Sequence, residues 1–238
     1  MTRFGAKLRS GLRKLHRDWQ RFGASGAVLG LADELLGRVS RAHILVMRVY
    51  DAPAFDGKEL ENDSRYTIRL VSRTELLAAT PPELKCLTLS REFVEHAMNK
   101  GDVCMGIFDG AELVSYQWYA CTATEMFDGI TIDVGAPFLY AYNAFTAPAH
   151  RGLRLHSLGL LYAGITLAVP QRKQMVSYIN SDNTASRLSG TRLPMREGAL
   201  LLWPRRGGLW ILQTHFCRSL NLRLRAVVER ASDKVMSH

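Results

Sequence analysis

The chain has 238 residues and a formal net charge of +9, with a pI near 9.6. Its 47% hydrophobic and 22% charged content excludes a disordered chain and fits a packed core. No uninterrupted apolar run reaches the roughly 18 residues that a membrane-spanning helix needs, and the positive balance favours anionic partners: nucleic acid, acidic lipid, an acidic carrier protein or a phosphorylated cofactor.

Residues 1–22, MTRFGAKLRSGLRKLHRDWQRF, stand apart. Lys or Arg fills positions 3, 7, 9, 13, 14, 17 and 21, and Asp18 is the one acid. Phe4, Leu8, Leu12, Leu15, Trp19 and Phe22 recur at spacings of three and four, which predicts a helix with an apolar stripe and a cationic opposite face. A central uncharged apolar region is missing, so this is no secretory signal. Two readings stay open: a helix on an anionic membrane or acidic partner, or a solvated helix whose stripe packs on the domain. Residues 23–65 read as an extension: a short helix to about Val39, a strand over HILVMRVY (43–50), then a polar loop with a soft boundary at its end.

From Tyr66 strands and helices alternate. YTIRLV is a strand, and residues 74–99 carry helix broken near Pro81-Pro82. Strands over 103–108 and 113–121 flank the hairpin signal Asp109-Gly110, and residues 122–136 read as loop or weak strand. A strand over 137–146 leads to a helix over 152–169, ended by Pro170. A strand at 175–179, a short helix at 183–193 and a hairpin of strands 199–203 and 209–213 follow, and residues 214–232 are expected to close the chain as a basic helix.

The four cysteines, at 86, 104, 121 and 217, form no C-x-x-C pair, so metal-ligand spacing is absent. Cys104 and Cys121 lie in strand-like runs and read as buried thiols, in a reducing, cytoplasmic compartment.

The stretch TAPAHRGLRLHSLGLL, from Thr146, joins an apolar strand to an apolar helix through a basic turn. The first N–H groups of a helix lack internal partners and its dipole favours negative charge there. Gly152 lets backbone approach a ligand closely, and Arg151, Arg154 and His156 add positive or polar groups. Such a turn is either an anion site or a plain connector with solvated arginines.

The order of elements and this turn together resemble the GNAT N-acetyltransferase superfamily. There the corresponding strand ends in R-G-x-G-x-G/A, which holds the coenzyme A pyrophosphate. The matching residues are Arg151-Gly152-Leu153-Arg154-Leu155-His156, with Arg and His at the second and third glycines. A second family motif, N-x-x-A-x-x-L-Y-x-K-x-G-F, is matched in part by the stretch from Asn183 to Met195, with Ser186 at the small position and Gly190 where the tyrosine usually stands. The resemblance covers about residues 66–213. It implies an α/β (α+β) domain with a mixed, mostly antiparallel central sheet flanked by helices, here with an extra N-terminal helical segment and a C-terminal basic helix and tail (214–238).

The resemblance also implies an N-acyltransferase moving an acyl group from acetyl-CoA, or another acyl-CoA, to the primary amine of a small molecule, with no metal. Phe145, Thr146 and Ala147 would hold the pantetheine, and the 151–156 turn, Asn183 and Ser186 the rest of the donor. Tyr178, Tyr142 and Ser186 are the candidates for moving protons. Trp118, Tyr119, Glu125 and Asn143, with the neighbouring loop acids Asp128 and Asp133, are placed on the acceptor side, where aromatics with acids suit an amino sugar or amino acid. The basic N-terminus adds the alternative of an enzyme on the inner face of the membrane, or one served by an acyl carrier protein. A non-catalytic scaffold that binds anionic partners is the competing class. Nucleic acid is disfavoured, because basic and aromatic residues do not interleave on the strands.

Overall fold

The run from His43 to Asp51 is apolar on both faces, the pattern of a strand covered on two sides rather than one. In the computed structural model it forms β1 (His43–Asp51), with its seven central residues buried. The structure describes residues 42–51, 65–78, 89–127, 129–189, 193–205 and 208–226, and positions 19–20, 23–24, 27–28 and 31–32. Most of the expected 1–22 helix, Cys86, the Pro81-Pro82 break, Asp128, Gly190 and the chain after Ala226 lie outside these residues.

The elements after β1 are β2 (Tyr66–Val71), α1 (Arg73–Ala78), α2 (Arg91–Asn99), β3 (Val103–Asp109), β4 (Glu112–Ala120), β5 (Thr124–Phe127), β6 (Ile130–Asp133) and β7 (Phe138–Thr146). Then come α3 (Leu155–Leu167), β8 (Gln174–Asn180), α4 (Thr184–Ser189), β9 (Met195–Arg205), β10 (Gly208–Gln213), α5 (His215–Ser219) and β11 (Arg223–Ala226). Eight strands make one sheet in the order β10-β9-β1-β8-β7-β4-β3-β2, and β11-β6-β5 make a small second sheet. Within the large sheet every pairing is antiparallel except β7 with β8. The expected mixed, mostly antiparallel sheet with flanking helices is what forms.

Three cores fill the two faces. α3 covers one face through Leu155, Leu160, Leu161 and Ala163, packed on Ile68, Met105, Ile107, Leu139, Ala141 and Met175. On the other face the small sheet and α5 cover Leu45, Met47, Tyr140, Val176, Leu200 and Leu202 with Ile130, Ile132, Cys217 and Leu220. Beside it, α2 and α1 seal Cys104, Phe108, Tyr116 and Trp118 with Val94, Ala97 and Leu76. Ser90 caps α2, its hydroxyl accepting from the Phe93 N–H at 3.1 Å, as the N-terminal orphan donors require.

Two expectations are corrected and one alternative is decided. The boundary near residue 65 does not set β1 apart, because β1 pairs with β8 on one side and β9 on the other, in the middle of the large sheet. Of the two readings of residues 122–136, loop or weak strand, the strand is the one that forms, as the β5–β6 hairpin. The C-terminal helix shrinks to α5, since Asn221 turns to a φ of +52° and Arg223–Ala226 pairs with β6. Leu220, Leu222 and Leu224 recur at a period of two, so the strand signal was present.

Candidate functional site

β7 and β8 run parallel and share only the registers Phe138 with Gln174, Leu139 with Met175 and Tyr140 with Val176. The paired end is clamped by Arg172, whose guanidinium donates to the carbonyls of Gly135 and Cys121, both at 3.2 Å, and of Phe138. Beyond Tyr140 the ladder stops, although β7 continues to Thr146 and β8 to Asn180.

A bulge shapes the unpaired half of β7. Ser115 opposes Thr146 and Tyr116 opposes Phe145, but Trp118 opposes Tyr142, so one extra residue enters β7 between these pairs. Asn143 takes it up with a φ of +44°, a conformation Asn tolerates better than most residues. One inserted residue reverses the inward–outward alternation. Phe145 therefore joins Tyr142 on the α2 side, against Tyr116 with ring centroids 5.8 Å apart. Ala144, Phe145 and Thr146 line a cavity of about 550 Å³ whose other walls are the 150–157 turn and α4.

The turn is strongly bent. A 3₁₀ turn, Pro148–His150, precedes Gly152 at φ +85° and Arg154 at φ +63°, the cap of α3. The helix expected from Gly152 therefore starts only at Leu155. A Cβ added to Gly152 meets nothing within 4 Å, so its backbone angle, not crowding, is what calls for glycine there. Arg154 holds the left-handed conformation with a side chain, at a cost of about 1 kcal/mol. Arg154→Gly is expected to leave stability unchanged or raise it by up to ~1 kcal/mol, the relief of strain being partly offset by a freer unfolded chain. Urea unfolding checks this, and a clear loss would mean that the side chain's contacts outweigh the strain.

The cap and first turn of α3 lie on the cavity, with Arg154, Leu155, His156 and Ser157 on the lining, and the first N–H groups of a helix have no partners within it. Arg151, exposed, donates from Nε to the Thr146 carbonyl at 3.1 Å. His150 Nδ1 lies 3.2 Å from the Tyr66 hydroxyl. On the α4 side, Asn183 Oδ1 accepts from the Ser186 N–H at 3.1 Å. Ser157 Oγ donates to the Ser189 carbonyl at 2.6 Å, and Ser189 Oγ lies 3.3 Å from His156 Nδ1. Burial, and after it the Arg48 guanidinium, push the His156 imidazole down to about 4, so it is neutral at pH 7.

Two buried arginines that the sequence reading passed over tie α4 down, Arg48 from β1 and Arg187 from α4 itself. Arg48, 1% exposed, donates to the carbonyls of Arg187 at 2.6 Å and Ser186 at 3.4 Å, and to Glu197 Oε2 at 3.2 Å. Arg187, also buried, donates to the Ser181 carbonyl at 3.2 Å. An arginine inside an apolar strand was the available signal, since such a charge is almost never buried without partners.

The expected donor-side residues thus meet at one cavity: Phe145, Thr146, Arg151, Gly152, Arg154, Leu155, His156, Asn183 and Ser186 line it together. Leu153 is exposed and Ala147 is tied to the Val114 carbonyl at 2.9 Å. The acceptor-side expectations fare differently. Trp118 and Tyr119 are sealed, at 0% and 1% exposure, Trp118 beneath α2 and Tyr119 beneath α3. Glu125 is exposed on β5 and accepts from the Gly129 N–H at 3.2 Å. Asp133 lines a separate cavity with Arg196 and Arg223.

Tyr142 donates to Asp102 Oδ2 at 2.5 Å, and Lys100 Nζ lies 2.9 Å from the same oxygen. Tyr178 donates to the Met126 carbonyl at 2.8 Å. Burial raises both phenols, Tyr178 to about 12, so at pH 7 each is a neutral donor with its proton already committed. Cys104 and Cys217 are buried and their thiols raised by that burial. Among the described residues no three His, Cys, Asp or Glu side chains converge as a metal site.

No family model and no curated protein matches the chain. Similar solved structures include a GCN5-related N-acetyltransferase from Kribbella flavida, with 16% identity and a TM-score of 0.40 over 82% of this chain and 67% of that one. A tandem GNAT protein from the clavulanic acid biosynthesis pathway, solved without acetyl-CoA, matches with 13% identity and a TM-score of 0.44 over 76% and 57%. A conserved protein of unknown function from Staphylococcus epidermidis matches with 12% identity and a TM-score of 0.43 over 71% and 65%. The chain spans half to two thirds of the length of such structures.

Proposed function

We propose that the protein transfers an acyl group, acetyl in the first instance, from an acyl-CoA to the primary amine of a small molecule. The observation that carries this reading is the cavity enclosed by the unpaired end of β7, the N-terminus of a 13-residue helix, α3, and α4 after the end of β8. Its donors suit a phosphorylated, elongated molecule. The N–H groups of the first turn of α3 and the charges of Arg151 and Arg154 suit a diphosphate. The open edge of β7 offers backbone groups to an amide-bearing arm, as an added strand would use them. Asn183, Ser186 and Ser189 offer polar contacts from the facing wall.

The donor supplies a thioester with a good leaving group, so orientation accounts for much of the rate. The bulge at Asn143 lies in the unpaired half of β7, next to the cavity residues Ala144 and Phe145, where a backbone group could polarise a carbonyl. The neutral phenols of Tyr142 and Tyr178 are poor bases at pH 7, and on this reading the acceptor arrives as the free amine. The rate then rises with pH through the acceptor's own pKa.

Titration calorimetry with acetyl-CoA and with palmitoyl-CoA tests the reading, paired with thiol release in the presence of amino sugars and amino acids. Micromolar binding with amine-dependent thiol release supports it, and the tighter donor gives the acyl class. Binding of neither donor would overturn it and favour a scaffold without this chemistry.

A further inference from the structure

The large sheet ends differently at its two edges. At β2 the edge is blunted by charge: Arg65 donates to Asp109 at 2.8 Å, and Arg69 pairs with Glu75 at 2.7 Å and covers the Phe108 ring. Charges of this kind keep an open strand from pairing with another chain. β10, the last strand at the other end among the described residues, lacks that defence. Its six residues, GLWILQ, include no charge and no proline, and Trp210, Ile211 and Leu212 are 64%, 40% and 68% exposed. Single exposed apolar residues are ordinary, but three in succession on a sheet edge make a docking surface.

The backbone fixes what this edge offers. β10 pairs with β9 in the register Trp210 with Trp203, Leu212 with Leu201 and Gln213 with Leu200. One step further, Thr214 donates its N–H to the Ala199 carbonyl at 3.0 Å. Leu209 faces Pro204, which has no N–H to give. Hydrogen-bonded pairs alternate along an antiparallel ladder, so Trp210 and Leu212, in step with Thr214, turn their backbone groups to β9. Leu209, Ile211 and Gln213 turn theirs to the open edge.

An identical strand fits this edge. Set antiparallel about a two-fold axis through Ile211, it brings Ile211 to Ile211 and Leu209 to Gln213 as hydrogen-bonded pairs, so every outward N–H and C=O is used. The same register brings Trp210 of each copy against Leu212 of the other, in the closer pairs without hydrogen bonds, on one face of the sheet. Each chain carries +9, yet no charge stands within the paired residues. We propose that the protein forms a two-fold dimer through β10, antiparallel and centred on Ile211, with the sheet continuing from one chain into the other. The three exposed side chains and the ladder bury on the order of 1,000 Å² in total, the small end of specific interfaces. A foreign extended strand would meet the same outward groups without the reciprocal match of Trp210 with Leu212. The inference goes beyond the acyl-transfer reading and stands independently of it.

The test is analytical ultracentrifugation of the full chain over roughly 1–300 µM at about 0.15 M salt, where charge repulsion is screened beyond about 8 Å. A monomer–dimer equilibrium is expected, with a Kd of roughly 1–100 µM. Trp210→Glu alone and Leu212→Lys alone should each weaken dimerisation about tenfold or more, with unfolding midpoints within about 2 °C of the parent. An equal mixture of the two should recover most of that loss, because the new carboxylate of one copy then faces the new ammonium of the other. Ile211→Cys should cross-link copy to copy under mild oxidation, since a hydrogen-bonded pair holds its Cα atoms about 5.5 Å apart, within reach of a disulfide. The parent chain and Trp210→Cys should not cross-link. A monomer throughout the range, a dimer indifferent to these variants, folded variants whose mixture recovers nothing, or association that runs past the dimer would each overturn the proposal.

Discussion

Arg48→Met is expected to lower the unfolding midpoint by roughly 6–12 °C, the equivalent of about 2–4 kcal/mol in a chain of this size. The argument starts from burial. Arg48 is 1% exposed, in the middle of β1. Its guanidinium donates to the Ser186 and Arg187 carbonyls near the C-terminus of α4, where a positive charge meets the negative end of the helix dipole. Methionine keeps much of the volume and removes every donor. The Ser186 carbonyl keeps the Ser189 hydroxyl at 2.9 Å, and each buried hydrogen bond lost from a charged donor is worth about 1.5–3 kcal/mol.

The Glu197 partner counts for less, because that side chain is 45% exposed and water takes over its charge. α4 has six residues, too few to hold itself together, so its cavity residues Asn183, Ser186 and Ser189 should shift with the loss. Arg48→Lys should fall between, keeping the charge without the planar fork. A midpoint change below about 2 °C would show that α4 does not depend on this residue.

The same residue shows where the sequence was legible and where it was not. The strands flanking the turn, the turn and the helix after it follow from local pattern, and the residues expected to hold a donor come together because they are close in sequence. Arg48 and Ser186 are 138 residues apart, and nothing in the spacing of either announces the contact. The place of β1 was hidden for the same reason: an apolar run shows that a strand is buried, but not which strands it lies between. Trp118 and Tyr119 were misread through adjacency. Neighbours on a strand point to opposite faces, and both faces of β4 are covered here. The bulge at Asn143 has a signal only in retrospect, as an asparagine inside an apolar strand at the point where Phe145 must change sides.

Charge reversal at Arg151 tests the proposed donor site more sharply than stability can. On the acyl-CoA reading, Arg151→Glu should weaken acetyl-CoA binding about hundredfold. A lost charge-assisted hydrogen bond and a new repulsion together are worth roughly 3 kcal/mol, with about 1.4 kcal/mol per tenfold. Arg151→Gln, which removes the charge without reversing it, should cost about tenfold. The fold should hardly change, because Arg151 is exposed and, among the described residues, its side chain is tied only to the Thr146 carbonyl. A surface substitution of this kind stays within about 0.5 kcal/mol. Calorimetric titration of the three proteins, with unfolding curves alongside, separates the possibilities. Unchanged affinity with an unchanged fold would remove the diphosphate from this turn, leaving the left-handed angles at Gly152 and Arg154 as a connector's geometry. A graded loss from Arg to Gln to Glu, steeper at low salt, would place the anion at the start of α3 and make the gap between β7 and β8 the path of the acyl arm.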